Sequence, residues 1–271
     1  MPSDLQSLQL PARDFIERLP QGFEPGRSLH RHVDGSIIGD WYGCRLSSVF
    51  QPIVDGRSRE VRGQEAFLRV LGHRQSDLSP WTLFSAAADD ERLIALDRLC
   101  RTVHLLNSLL AGCESLLFLN VHGRLLAAVS DDHGRAFRRV VDALGVSPER
   151  IVIEIPAAAS RQPELLHLVL RNYRYNGFRV AVNLDSPAHW PAIALSAPEF
   201  VKLPVRSSGW DDRLDRRVLG ELLRSSGRET VVVLTRNEQP LAGSVPGRVW
   251  LQGHAHGSPR VLSAAPDSPS G

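Results

Sequence analysis

Residues 151–184 read IVIEIPAAASRQPELLHLVLRNYRYNGFRVAVNL, and their order decides the fold class. Ile151–Ile155 is a short run rich in β-branched residues, which suits a pleated strand. Glu164–Tyr175 carries apolar residues at helical spacing, and Gly177 sits where that helix should stop. Val180–Leu184 is a second apolar run. The stretch is therefore a strand–helix–strand unit. Strands apolar along their whole length are buried on both faces, as in a parallel sheet covered by helices.

The same alternation extends in both directions. Apolar runs recur at Ser48–Ile53, Val61–Val70, Leu116–Val121, Phe200–Leu203, Val231–Thr235 and Val249–Gln252, eight runs in all with the two above. Between them lie helical patterns at Ala136–Leu144, ending at Gly145, and at Leu214–Leu223. The clearest is Arg92–Leu110, where Leu93, Leu96, Cys100, Val103, Leu106 and Leu110 form one apolar stripe. Eight strands alternating with helices predict an α/β protein with a (β/α)8 TIM-like barrel. An open doubly wound sheet would want a glycine-rich turn after its first strand, and none is there. Residues 1–45 read as an irregular extension broken by Gly22, Pro25, Gly26 and Gly35, with one short helix at Asp14–Leu19. The barrel is placed at residues 46–260, and residues 261–271 read as a small, polar, disordered tail.

The 271 residues carry 32 Lys plus Arg against 30 Asp plus Glu, a net charge of +2, with 42% apolar and 23% charged residues. That is a globular composition. So small a charge makes no electrostatic case for a nucleic acid polymer or a membrane surface as partner. No apolar run is long enough to span a bilayer, and the polar, acidic first ten residues do not read as a secretory signal. Cys44, Cys100 and Cys113 are odd in number and scattered, so a reducing cytoplasm is the expected location. Of the basic residues only Lys202 is a lysine.

Several runs end in one polar residue: Asn120, Glu154, Asn183, Lys202 and Gln252, with Glu65 inside the second run. In a parallel barrel these ends converge at one mouth. Two carboxylates, three amides and an ammonium around a cavity point to a divalent-cation or phosphate site. His254 and His256 read as ordinary surface histidines, since two ligands alone do not make a metal site.

Phe50-Gln51-Pro52-Ile53-Val54 followed by Gln64-Glu65-Ala66-Phe67-Leu68-Arg69 resembles the opening of an EAL domain, the cyclic di-GMP phosphodiesterase family, with Phe67 in place of the signature leucine. Leu96-Asp97-Arg98, Phe118-Leu119-Asn120-Val121, Ser147–Ile155, Gly177–Val182, Phe200-Val201-Lys202 and Leu251-Gln252-Gly253 with Pro259 follow in the family's order, covering residues 46–260. The resemblance implies an EAL-type barrel with Mg²⁺ or Mn²⁺ at its mouth. Glu65, Asn120 and Glu154 would hold one ion, with Asn183 beside them. Lys202 would orient the water that attacks the phosphodiester. Gln51, Arg69 and Gln252 would face the dinucleotide.

The departures from that pattern are as informative. Asn183-Leu184 stands where the family has two aspartates, Pro204 replaces another aspartate, and Ala157 replaces a glutamate. Val233-Leu234-Thr235-Arg236-Asn237 lacks both acids of its segment. Only Asp185 and Glu238 are near enough to compensate. Affinity for hard cations follows ligand charge and count. The expectation is therefore a degenerate EAL domain in which Lys202 and the metal positions are vestigial. It would act as a regulator through an unidentified protein partner, with cyclic di-GMP as a ligand bound without cleavage and a homodimer as the family's usual pairing. No cofactor is expected, and Mg or Mn enters only with residual phosphodiesterase activity, which is the alternative reading.

Overall fold

The computed structural model describes residues 10–72, 77–128, 134–186, 189–204, 213–226, 230–236 and 248–262. In chain order its elements are α1 (Leu10–Glu17), β1 (Leu29–Arg31), β2 (Ile37–Trp41), β3 (Cys44–Asp55), β4 (Val61–Leu71), β5 (Asp77–Leu78), α2 (Pro80–Ser85), α3 (Asp90–Leu110) and β6 (Leu116–Asn120). There follow α4 (Gly123–Ala128), α5 (Arg135–Ala143), β7 (Ile151–Ile155), α6 (Pro163–Tyr175), β8 (Arg179–Asn183), α7 (Trp190–Ala194), β9 (Phe200–Pro204), α8 (Arg213–Ser225), β10 (Val231–Thr235) and β11 (Val249–Gln252). Among the described residues no helix is long and apolar enough to cross a membrane.

Each of the eight apolar runs becomes a barrel strand. Strands β4, β6, β7, β8, β9, β10 and β11 are joined in parallel in that order. The ring is shut by β3, which pairs antiparallel with both β4 and β11. The barrel is therefore mixed, where an all-parallel one was expected. A short turn after Asp55 returns the chain directly as β4. A connection that short permits only an antiparallel neighbour, whereas a parallel one needs a crossover.

The first 45 residues are also less irregular than their turn residues suggest. Strand β1 pairs with β2, and β2 with the start of β3, so the segment extends the barrel sheet. The helix lies at Leu10–Glu17, starting four residues and ending two residues earlier than predicted, with Ala12 and Ile16 buried. Strands of three and five residues carry too little periodicity to be read, and tertiary contacts specify them instead. The side-chain amide of Asn107 on α3 accepts from Ile37 N at 2.8 Å and donates to Ile37 O at 2.8 Å, acting as a partner for β2 where no strand is present.

Two apolar layers hold the barrel. One lies between strands and helices and includes Leu105, Ile153, Val169, Val182 and Leu234. The other fills the interior with Ile53, Phe118, Val152, Ala181, Phe200 and Val233. Gly63 on β4 is required by that filling, because a Cβ there would lie 2.6 Å from the Phe118 ring. Helix α3 begins as its sequence demands. The Asp89 carboxylate accepts from Arg92 N at 2.7 Å, and Asp90 and Glu91 occupy the positive end of the helix.

On the buried side of α3, His104 bonds the Ser48 hydroxyl at 2.7 Å, and burial pushes its pKa down to about 4. In the unfolded chain the ring takes its ordinary value of about 6.5. The unfolded state therefore binds the extra proton between these values, and folding stability falls as pH drops through that window. His104→Gln is expected to remove roughly 3 kcal/mol of that acid-side loss, read as a flatter dependence of the urea midpoint on pH.

Candidate functional site

Alternation along each strand turns one polar residue each of β4, β7, β9 and β11 inward to one point above the apolar filling. Lys202 on β9 is 3% exposed, and its Nζ lies 2.5 Å from Glu65 Oε2 and 2.7 Å from Glu154 Oε1. One ammonium thus bridges two buried carboxylates. The remaining oxygens are also engaged. Asn120 Nδ2 donates to Glu65 Oε1 at 2.9 Å, and Gln252 Nε2 to Glu65 Oε2 at 2.6 Å. Asn183 Nδ2 donates to Glu154 Oε2 at 3.4 Å and to the Ile155 carbonyl at 3.3 Å. Gln252 Nε2 also donates to Gln51 Oε1 at 3.1 Å, and Gln51 Nε2 donates to the Gly257 carbonyl at 3.0 Å. Seven side chains from β3, β4, β6, β7, β8, β9 and β11 thus form one network.

The electrostatics are those of a buried anion–cation–anion row. Burial pushes Glu154 up to about 7, and the neighbouring Glu65 charge adds to the rise. Burial also opposes ionisation of Glu65, but the Lys202 ammonium outweighs it and holds that carboxyl below its usual range. Lys202 is raised because its two anions outweigh its own burial. A Lys202–Glu65 ion pair with a Glu154 that shares a proton near neutrality is the state these shifts describe.

Seven of the eight residues singled out in the sequence meet here: Gln51, Glu65, Asn120, Glu154, Asn183, Lys202 and Gln252. Arg69 does not. It lies four residues beyond Glu65 on β4, opposite Ser47 of β3, and is exposed. Of the substituted positions, Asn183 belongs to the network, while Leu184 and Leu234 lie apart from it. Leu184 is 2% exposed and belongs to the layer between strands and helices, as does Leu234. Asp185 bonds Arg161 at 3.2 Å on the surface, so it does not stand in for an aspartate of the centre. Glu238 lies outside the described residues. Trp190 is buried, and its Nε1 donates to Ser225 Oγ at 2.8 Å, which makes it an anchor for α7. His254 and His256 form one tight turn after β11. Among the described residues no group of three or more His, Cys, Asp or Glu could hold a metal ion.

Sequence reasoning missed the surroundings of His122, two residues past Asn120. Its ring stacks on Phe84 of α2 at 4.9 Å, and its backbone N–H points to Asp97 Oδ1 at 3.4 Å. Asp97 in turn pairs with the buried Arg101, which lies over the Phe137 ring. The placement of His122 just beyond a polar strand end was the available signal.

A family model described as EAL domain matches residues 42–204. No curated protein sequence matches the chain. Solved structures do. A standalone versatile EAL protein from Vibrio cholerae O395, in its c-di-GMP bound form, aligns with TM-score 0.64 at 19% identity, over 83% of this chain and 96% of that one. The Bacillus subtilis YkuI protein, with an EAL domain and in complex with substrate c-di-GMP and calcium, aligns with TM-score 0.62 at 21% identity, over 80% of this chain and 55% of that one. Klebsiella pneumoniae BlrP1, in a manganese and cyclic di-GMP complex, aligns with TM-score 0.59 at 17% identity, over 88% and 58%. The chain thus spans little more than half the length of the last two.

Proposed function

Because the chain belongs to the EAL domain family, we propose that it is a catalytically impaired member. In this reading it holds cyclic di-GMP at the barrel mouth without hydrolysing it, and it acts as a regulator through protein contacts. The observation that carries this reading is the Lys202 ammonium seated between Glu65 and Glu154. Two hard cations ask for several charged oxygens free to coordinate. Here there are two carboxylates, and each of their four oxygens already accepts a hydrogen bond from Lys202, Asn120, Asn183 or Gln252. The residues present do not fit a pair of metal ions.

The dinucleotide assignment is supported by the c-di-GMP complexes of the Vibrio, Bacillus and Klebsiella structures. In this chain the exposed Asn120 and Arg69 offer donors at the mouth, above the buried and mutually bonded Gln51 and Gln252. Arg69 has the chemistry to meet a phosphate, since a guanidinium forms charge-assisted, often bidentate hydrogen bonds with it. The second reading, a residual Mg²⁺- or Mn²⁺-dependent phosphodiesterase, draws on the convergence of Glu65, Asn120, Glu154 and Lys202.

Calorimetric titration with cyclic di-GMP, with and without Mn²⁺, separates the readings. The expected result is binding of equal strength in both conditions. Binding that appears only with Mn²⁺, followed by conversion to the linear dinucleotide, would establish the phosphodiesterase. Heat in neither condition would leave only the protein-contact role.

A further inference from the structure

A cavity of about 500 Å³ lies at the unpaired edge of β3, lined from both faces of the strand: Ser48 and Phe50 on the side of α3, Arg45 and Ser47 on the other. It exists because β3 is covered from two ends that do not meet. Strand β2 pairs with β3 only over Cys44–Leu46. From the other end, the chain after β11 rejoins β3 at Phe50, which exchanges backbone hydrogen bonds with Arg260. Between them Ser47 and Ser48 have no strand on that side. Since Phe50 turns its N–H and C=O towards Arg260, alternation turns those of Ser48 towards the gap.

The lining has two characters. Phe50, Leu110 and Leu262 make an apolar floor, while Arg45 and Ser47 stand on the open side. The acid in this wall, Asp34, is already satisfied by the Ser36 N–H and hydroxyl and by His32. Arg45 is half-buried; its cross-strand neighbour Asp40 bonds His30 at 2.6 Å, and no ion pair joins Arg45 to a carboxylate among the described side chains. A half-buried guanidinium beside an apolar floor is complementary to an anionic head on an apolar body.

We propose that this cavity is a binding site for a small amphipathic anion, with a carboxylate, sulfonate or phosphate head on Arg45 and an aromatic or aliphatic body on Phe50, Leu110 and Leu262. The site is independent of the reading given to the barrel mouth. Phe50 and Gln51 are successive residues of β3 and face opposite sides of the sheet. Occupancy would therefore bear on the same strand that carries a member of the polar network.

The test is a fluorescence titration of the full chain with 8-anilinonaphthalene-1-sulfonate, an anionic head on an aromatic body. Saturable binding at one equivalent is expected to the folded protein. Arg45→Gln should weaken it about tenfold or more, the worth of one charge-assisted hydrogen bond, and Arg45→Lys should restore part of it. Ala111→Trp, at the cavity wall on the end of α3, should block binding, and the surface change Arg57→Gln should leave it unaltered. Urea midpoints recorded alongside show that each variant is folded. Displacement of the probe by decanoate or by phenyl phosphate tells a carboxylate head from a phosphate. Equal affinity in wild type, Arg45→Gln and Ala111→Trp would overturn the proposal, as would the absence of saturable binding to folded wild type.

Discussion

Lys202→Met is expected to destabilise the fold by about 3–5 kcal/mol near pH 8, because it leaves two buried carboxylates without their cation. Methionine matches the lysine stem in length, so packing is kept and only the ammonium goes. The loss should depend on pH. Glu154 is already raised to about 7 with Lys202 present, and without it the Glu65–Glu154 repulsion stands unopposed. A group whose folded pKa exceeds its unfolded value costs stability as pH rises through the folded value. The difference between wild type and variant should therefore narrow towards about pH 5, where protonation removes the repulsion. Urea unfolding at the two pH values measures it. A loss below about 1 kcal/mol at the higher pH would mean that the row of charges is not holding the strands together.

The second large effect concerns chemistry. Cyclic di-GMP incubated with the protein and Mn²⁺ is expected to remain intact, with turnover at least about 10³-fold below that of a complete two-metal site, since even one preorganised charge stabiliser is worth 10²–10³ in rate. Chromatographic separation of cyclic from linear dinucleotide reads this directly. Linear product at a rate within tenfold of a complete site would refute the impaired reading. The structural reason for the expectation is positional. Leu184 is buried among helix-facing residues, Asp185 is committed to Arg161, and the two carboxylates that remain are clamped on Lys202.

How much of this was legible in the sequence follows from what each signal encodes. Short apolar runs, here of four to ten residues, mark buried strands whatever their direction, so all eight barrel strands were found while the reversal of β3 was not. Direction is set by loop length, and the seven residues between Ile53 and Val61, too few for a crossover helix, were the signal that the run-by-run reading passed over. The polar residues at strand ends were legible because a charged side chain in an otherwise apolar run has to be satisfied. Their mutual contacts were not, since Glu65 and Lys202 are 137 residues apart and Gln51 and Gln252 are 201 apart. Leu184 read as a missing ligand, yet its burial in the outer layer also makes it part of the core. One residue past Asn183 is enough to change the face.

The way the ring closes limits what can be cut from it. The segment recognised as the family's own stops at Pro204, the last residue of β9. A polypeptide trimmed there would lack β10 and β11. It would be an open trough with β3 and β9 as two bare edges, each a template for pairing with another molecule. Glu65 would also lose Gln252, and Phe50 its tie to Arg260. The boundary drawn by family likeness is therefore shorter than the smallest piece able to stand alone, and a truncation made at it should aggregate.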